Sequence, residues 1–251
     1  MTEPASRTRP DHYSYAMYAD PAMADSFDRA RFSGPVGELL AETQARILTE
    51  FCGPLDGRDA IDVGTGTARA ALVLAGAGAH VTAIDASDEM LRVARARAES
   101  RGAAIRFEAG DAHHLAHGDS SFDIAVSWRV LMHTPDWRQC IGELCRVSRH
   151  RVIVDFPALG SVAAVQSVSR RLARAAGANV EAYRVLAETA VGSAFASQGF
   201  RITRIHRQFV LPIALHKRLG SRAATERLEG MLARVGLLRL AGSPVTVLAE
   251  R

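Results

Sequence analysis

The chain has little lysine, few cysteines and no long apolar run. Lys217 is the only lysine among 251 residues, and the arginines that give a net charge of +4 are scattered, without the blocks that indicate a nucleic-acid surface. Cys52, Cys140 and Cys145 lack metal-binding spacing, which favours a reducing cytoplasm. Residues 1–11 have no apolar core and no apolar run reaches about 18 residues, so we expect neither a secretory leader nor a membrane span.

A glycine is also missing from the most informative segment. A largely apolar run enters Gly64-Thr65-Gly66, a helical stretch follows, and a second apolar run ends at Asp85. This order predicts a strand, turn, helix and strand that hold a nucleoside against backbone groups. A dinucleotide-binding loop carries a third glycine where this chain has Arg69.

Asp62 indicates the charge of the ligand. It lies two residues before Gly64, where it would repel a pyrophosphate and attract an ammonium group. Asp111, after the strand predicted near 104–108, can accept a hydrogen bond from an adenine amino group. These acids favour a cationic ligand that contains adenosine and no phosphate.

At this point the residues resemble the first motif of the class I S-adenosylmethionine-dependent methyltransferases, Asp-x-Gly-x-Gly-x with a ribose-binding acid after the next strand. Residues 119–133, with Phe122-Asp123 and a run from Ser127 to His133, are similar to the type 11 branch, which includes quinone-biosynthesis C-methyltransferases. The resemblance covers about residues 58–155 and implies S-adenosyl-L-methionine as the cofactor. The cofactor contacts that it implies are Tyr18, Asp62, Gly64, Thr65, Gly66, Thr67, Asp85, Ala86, Met90, Asp111, Ala112, Ser127, Trp128 and Arg129.

His133 is the predicted catalytic residue. It follows the fourth strand on a loop that faces the cofactor in this resemblance, and histidine titrates near neutral pH, as a general base requires. The alternative is a loop histidine that only packs. His113, His114 and His117 have no third ligand at a matching spacing, so no metal site is predicted.

Tyr13, Tyr15 and Tyr18 lie close together near the N-terminus, followed by Phe27 and Phe32. Aromatic rings and phenol oxygens suit a sulfonium and its polarised methyl group, so this arm is a candidate cover for the cofactor. Anchoring of the arm to the core is the alternative. Related N-terminal arms favour Tyr18.

The order of predicted elements indicates an α/β fold with a doubly wound, Rossmann-like sheet and helices on both faces. We expect seven strands, mostly parallel with the last one antiparallel, near 58–63, 79–84, 104–108, 122–127, 150–155, 200–210 and 243–249. Residues 1–57 are predicted to form a tail and a helical cap, with helices near 20–31 and 36–51. Residues 58–251 would form the methyltransferase domain, with a helical insertion near 157–199.

The insertion is a candidate substrate lid. Its Val162, Val165, Val168 and Leu172 follow helical spacing, and its arginines Arg170, Arg171 and Arg174 lie opposite, where a solvated helix face is the simpler interpretation. At the end of the fifth strand, Asp155 and Phe156 either contact substrate or, for Asp155, cap a following helix.

Several acceptor classes are excluded by missing motifs. Ser127-Trp128-Arg129-Val130 replaces the Asn/Asp-Pro-Pro-aromatic motif of amide and adenine methylation, and one lysine is too few for the usual ribose methylation tetrad. We therefore expect methyl transfer to a small or medium organic acceptor through an oxygen, nitrogen or carbon atom, by a monomer or homodimer. A non-catalytic S-adenosylmethionine-binding protein and an NAD-dependent oxidoreductase are the alternatives.

Overall fold

The computed structural model describes residues 12–177 and 183–251, so residues 1–11, the first part of the predicted tail, lie outside it. The side chains of Tyr13 and Arg174 are likewise outside the described part of the chain. The described helices are α1 (Tyr13–Tyr18), α2 (Pro21–Phe32), α3 (Gly34–Cys52), α4 (Arg69–Gly76), α5 (Asp88–Ser100), α6 (Trp137–Val147), α7 (Val162–Ala175), α8 (Glu188–Ala196), α9 (Ile213–Leu219), α10 (Arg222–Arg234) and α11 (Leu237–Ala241). The strands are β1 (Asp59–Val63), β2 (His80–Asp85), β3 (Ile105–Ala109), β4 (Phe122–Ser127), β5 (Ser148–Phe156), β6 (Arg201–Phe209) and β7 (Ser243–Glu250).

The strands form one sheet in the order β3-β2-β1-β4-β5-β7-β6. β1 pairs in parallel with both β2 and β4, and β7 runs antiparallel between β5 and β6. The predicted seven-stranded, mostly parallel sheet with an antiparallel last strand is therefore confirmed. The strand order reverses beside β1, and ligands of open α/β sheets bind in the crevice at such a point.

Helices cover both faces of the sheet, as predicted. Side chains alternate along β1, so that Ile61 joins one buried cluster with Ile141 and Leu144 of α6, whereas Ala60 joins a second cluster with Leu48 of α3. Burial of apolar side chains in these two layers stabilises the sheet and fixes the positions of its strand ends.

Local sequence features explain where the helices before β1 form. Asp20 accepts a hydrogen bond from the backbone N–H of Ala22 (2.9 Å) and so caps α2, which starts at Pro21. The C-terminal part of α3 buries Leu48, Phe51 and Cys52 in the sheet cluster. The predicted cap therefore contains a helix that belongs partly to the core of the fold.

The helical insertion after β5 contains α7 and α8, which differ in burial. On α8, Val191 and Phe195 are buried in the core. On α7, the apolar residues Val165, Val168 and Leu172 are exposed, with 72%, 57% and 66% of their surface accessible. Within the described ranges no helix combines the length and hydropathy required to cross a membrane.

Candidate functional site

A cavity of about 240 Å³ opens at the carboxyl ends of β1, β2 and β4. The helices α1 to α4 cover it from the other side. Most of the sequence-predicted site residues lie on its walls: Tyr18, Asp62, Gly64, Thr65, Gly66, Thr67, Asp85, Ala86, Met90, Asp111, Ala112, Trp128, Arg129 and His133.

The Gly-x-Gly turn is held tightly between β2 and the loop after β4. Gly64 has φ +73°, and a Cβ atom placed on it would lie 2.4 Å from Cγ2 of Val130. Its backbone N–H donates to the carbonyl of Ile84 at 2.7 Å. Gly64 is therefore required both for its left-handed backbone and for the close approach of Val130.

The buried side chain of Asp62 stabilises this turn by accepting hydrogen bonds from it and from α4. Its Oδ2 accepts hydrogen bonds from the Thr65 hydroxyl (2.7 Å) and from the backbone N–H of Ala71 (3.0 Å), whereas its buried Oδ1 has no partner within the described residues. Burial raises the pKa of Asp62 to about 6. An ammonium group of a ligand would satisfy the unpartnered oxygen and favour the charged carboxylate.

Asp85 joins the end of β2 to the turn. Its Oδ2 accepts from the backbone N–H of Gly66 (2.7 Å) and its Oδ1 from that of Ser87 (2.9 Å). Burial raises the pKa of this carboxyl above its ordinary value, against the effect of these hydrogen bonds. Each carboxylate oxygen has two acceptor positions, so both oxygens can still accept from ribose hydroxyls.

Asp111 is held by two aromatic neighbours. Its Oδ1 accepts from the backbone N–H (2.9 Å) and the ring Nδ1 (2.6 Å) of His113, and its Oδ2 accepts from the Tyr15 hydroxyl at 3.1 Å. Burial acts to raise the pKa of Asp111, but the hydrogen bonds from His113 and Tyr15 hold it below its ordinary value. Asp111 is thus an ionised acceptor at neutral pH.

The tautomer of His113 follows from its partners. Nε2 of its ring accepts from the backbone N–H of Asp136 at 3.3 Å, so the ring proton is on Nδ1 and points at Asp111. This side chain is buried and committed to positioning the carboxylate. Its role was not predicted from the sequence, where it was considered only as a metal ligand.

The N-terminal arm covers the cavity through Tyr15 and Tyr18. The carbonyl of Tyr18 accepts from the hydroxyl of Ser87 at 2.6 Å. The Tyr18 ring meets the ring of His133 edge to face, with 5.8 Å between the ring centroids. His133 lies on a 3₁₀ turn, Leu131–His133, and is largely buried against this cover.

The hydroxyls of two residues predicted to contact the cofactor, Ser127 and Thr67, donate hydrogen bonds within the protein. The Ser127 hydroxyl donates to the carbonyl of Val63 (2.9 Å), and Ser127 is not among the described residues that line the cavity. Thr67 lines the cavity, but its hydroxyl donates to Oδ1 of Asp28 on α2 at 3.1 Å. Arg97 of α5 completes this contact by donating to Thr67 and to Asp28.

Asp155 has a role that neither sequence interpretation included. Its Oδ1 accepts from the backbone N–H of Arg129, and its Oδ2 is buried without a partner among the described residues. Burial raises the pKa of Asp155 to about 6. Arg129 has φ +65°, so this carboxylate fixes an unusual backbone turn directly beside the cavity.

Part of the cavity was missed by sequence reasoning. Its additional walls come from α2, α3 and α4, where lining residues on α3 follow the helical spacing of one face. The sequence predicted only a helix near 36–51, and its small and polar lining residues were not identified as part of a site. The missed residues include Arg31, Ala41, Gln44, Ala45, Leu48, Arg69, Ala70 and Val73.

Comparison with known families agrees with this geometry. Residues 60–151 match a family described as a methyltransferase domain. Residues 60–151 of the chain are therefore similar to a methyltransferase domain. The sequence resemblance to this family is thereby confirmed, over a segment that contains β1 to β4 and the acids Asp62, Asp85 and Asp111.

Three curated relatives of the chain are methyltransferases by name. The chain is 33% identical over 145 residues to the methyltransferase GfsG of Streptomyces halstedii, covering 55% of this chain and 48% of that protein. It is 35% identical to the demethylmenaquinone methyltransferase of Thermus thermophilus (51% and 64% covered) and 31% identical to the malonyl-[acyl-carrier protein] O-methyltransferase of Pectobacterium atrosepticum (62% and 60%). The chain thus spans about half of the length of the curated relatives it matches first.

Solved structures share the fold over most of the chain. The magnesium protoporphyrin IX methyltransferase of Synechocystis, solved with bound SAH, superposes with a TM-score of 0.66 at 17% identity, covering 95% of this chain and 98% of that one. The [4+2]-cyclase SpnF superposes with a TM-score of 0.59 at 18% identity (83% and 80% covered). At these identities the likeness concerns the fold.

Proposed function

We propose that this methyltransferase domain binds S-adenosylmethionine and transfers its methyl group to a small or medium organic acceptor. One arrangement carries the proposal: three carboxylates, Asp62, Asp85 and Asp111, line one cavity at or beside the carboxyl ends of three adjacent strands. These hydrogen-bond acceptors suit a cationic nucleoside, and a pyrophosphate would be repelled by the same negative charges.

Each acid would hold a different part of the methyl donor. Asp62 offers its unpartnered Oδ1 to the ammonium group of the methionine end. Asp85 would accept from the ribose hydroxyls and Asp111 from the adenine amino group, with Ala86, Met90 and Ala112 as the apolar walls between them. When bound, the donor supplies a methyl group that its sulfonium already activates.

The chain then has to align an acceptor nucleophile and exclude water. Tyr18 covers the cavity, and Trp128 and Arg129 line it after β4. Positioning of two reactants is worth about 7–11 kcal/mol of barrier in favourable cases. His133 would accept the proton from a nucleophile that arrives protonated, because its buried ring lies on the cavity wall beside Tyr18.

The proposal includes a division of the chain into two parts. Residues 58–251 would form the methyltransferase domain, and the helices within residues 12–52 would cap its cavity. Cys52, Cys140 and Cys145 are free and buried, as suits a reducing compartment such as the cytoplasm. Burial raises the pKa of each thiol to about 12. The monomer or homodimer expectation and the lid role of residues 157–199 stay predictions.

A second function has a specific observation in its favour. The fold is shared with SpnF, a cyclase by its name, so an S-adenosylmethionine-binding protein without methyl transfer is the alternative. Isothermal titration with S-adenosylhomocysteine and with NAD tests binding, and transfer of labelled methyl groups to a metabolite extract tests catalysis. Tight binding of NAD without binding of S-adenosylhomocysteine would refute both proposals in favour of an oxidoreductase.

A further inference from the structure

The cavity continues beyond the residues assigned to the methyl donor. Its second part is walled by facing residues of α3 and α4, which we call the α3–α4 lobe: Ala41, Ala45, Leu48, Ala70 and Val73. Three of these side chains are alanines, which leave open space between the helices, and the other two are aliphatic. A ligand body that fills this lobe gains free energy by burying apolar surface.

The charges on the cavity wall are of two kinds. Its acids, Asp62, Asp85 and Asp111, each accept hydrogen bonds from the chain and are assigned above to the methyl donor. Arginines also line the cavity, and they come from the elements around the lobe: Arg31 at the end of α2, Arg69 at the start of α4 and Arg129 after β4.

The guanidinium N–H groups of Arg69 lack a hydrogen-bond acceptor among the described residues. Its guanidinium carbon lies 3.6 Å from the centroid of the Phe32 ring, and its side chain has no hydrogen bond or ion pair with any described residue. Stacking of this kind leaves the N–H groups at the edge of the guanidinium available to an oxyanion. Burial, with a smaller contribution from nearby Arg101, lowers the pKa of Arg69 to about 10, as expected for a cation that lacks compensation.

We propose that the methyl acceptor is an anionic amphiphile, whose apolar body fills the α3–α4 lobe and whose carboxylate binds the guanidinium of Arg69. This inference rests on the proposed function, because it assigns the remaining part of the same cavity. The methionine end of the donor also carries a carboxylate, so the experiment has to distinguish the two sources.

The test uses three probes with one aliphatic chain and different head groups: octanoate, octanol and octylamine. Each is titrated into the full chain saturated with S-adenosylhomocysteine. We expect octanoate to bind about tenfold or more tightly than octanol, the scale of a charge-assisted hydrogen bond, and octylamine to bind most weakly. Equal affinity for octanoate and octanol would overturn the proposal.

Two variants and one control locate the probe. Arg69→Gln should remove the preference for octanoate over octanol, whereas Arg101→Gln, which removes a nearby exposed charge outside the cavity lining, should retain it. Val73→Phe narrows the lobe and should weaken octanoate and octanol alike, with S-adenosylhomocysteine affinity unchanged. Thermal melts identify a variant that has lost its fold, and the wild-type preference among the probes remains a test in that case.

The remaining outcomes separate this inference from the proposed function. If Arg69→Gln weakens S-adenosylhomocysteine and leaves the octanoate preference unchanged, Arg69 binds the donor's own carboxylate and the inference is wrong. If the wild-type chain binds octanoate with the expected preference in the absence of S-adenosylhomocysteine but does not bind that compound, the proposed function fails and the binding of an anionic amphiphile in the α3–α4 lobe stands.

Discussion

The hydroxyl of Tyr15 donates a hydrogen bond to Oδ2 of Asp111 at 3.1 Å, across 96 positions of the chain. His113 already donates twice to Oδ1, which fills its two acceptor positions, so an adenine amino group would have to share Oδ2 with the Tyr15 hydroxyl. Burial, with Asp111 as the next cause, raises the pKa of Tyr15, which therefore remains a donor. An adenine bound at this position would therefore share one carboxylate oxygen with the arm.

Removal of the Tyr15 hydroxyl should increase the affinity for the ligand. We expect Tyr15→Phe to tighten S-adenosylhomocysteine binding about two- to tenfold, because Oδ2 of Asp111 then accepts from the ligand alone and a second hydrogen bond of this kind is worth about 0.5–1.5 kcal/mol. Isothermal titration gives the dissociation constant. Tyr183→Phe removes a hydroxyl that contacts Ala163 and Gln166, outside the cavity lining, and serves as the control. Weaker binding by Tyr15→Phe would instead make Tyr15 part of the adenine site.

Loss of the predicted ribose acid should weaken the same ligand. We expect Asp85→Ala to raise the dissociation constant of S-adenosylhomocysteine by about 10- to 150-fold, the equivalent of 1.5–3 kcal/mol for hydrogen bonds to a charged group. Asp88→Ala removes an exposed acid three residues away and should change binding little. Equal effects of the two substitutions would exclude a direct role of Asp85.

His133 should affect turnover more than binding. If it is a general base, His133→Ala lowers the rate of methyl transfer about 10²–10⁴-fold, whereas the affinity for S-adenosylhomocysteine stays near that of the wild type. The rate is measured as labelled methyl groups transferred to an acceptor found by metabolite screening. The exposed His114→Ala is the matched substitution. An unchanged rate would assign His133 to packing beneath Tyr18.

The turn at Gly64 permits a comparison between two glycines. Both Gly64 and Gly66 have positive φ, but only Gly64 has a neighbour, Val130, in the place of an added Cβ. Gly66→Ala should therefore lose about 1 kcal/mol of unfolding free energy from backbone strain, and Gly64→Ala a further 1–3 kcal/mol from overpacking. Chemical denaturation measures both losses. Val130→Ala should recover part of the loss in Gly64→Ala and none in Gly66→Ala.

Asp155 predicts a pH dependence of stability. Its pKa is raised by burial to about 6, so a penalty for its charge develops as the pH rises from the unfolded value near 4 and is complete above the folded value. Asp155→Asn should therefore raise the free energy of unfolding at pH 8 by about 1–3 kcal/mol. The difference should vanish below the unfolded pKa, where both states are neutral. A gain that persists at low pH would refute this origin.

The strands could be predicted closely because their signal is local. β1 was expected at 58–63 and extends over Asp59–Val63, and β4 was expected and found at 122–127, since each is a short run of buried apolar residues beside turn residues. β5 begins at Ser148, two residues before the expected start. The short helix α1 lies in a segment that was expected to be a tail.

The partners of the site residues could not be predicted in the same way. The contact of Asp111 with Tyr15 and that of Thr67 with Asp28 join residues far apart in the chain, and no periodicity encodes such pairs. Ser127 was placed correctly at the end of β4, but the orientation of its hydroxyl toward Val63 depends on the pairing of neighbouring strands. The motif thus identified the wall of the cavity, and the tertiary fold decided which atoms face it.

The contact of Arg97 with Asp28 and Thr67 has a consequence for engineering. It ties α2, α5 and the glycine turn into one unit, although Asp28 and Arg97 are separated by 69 positions in sequence. A chimaera that takes its N-terminal helices from a relative with another acceptor would separate this pair. Grafts that carry residues 12–52 together with a compatible residue at position 97 should keep these helices packed on α5 and the glycine turn. Such grafts are the rational starting point for changing acceptor specificity.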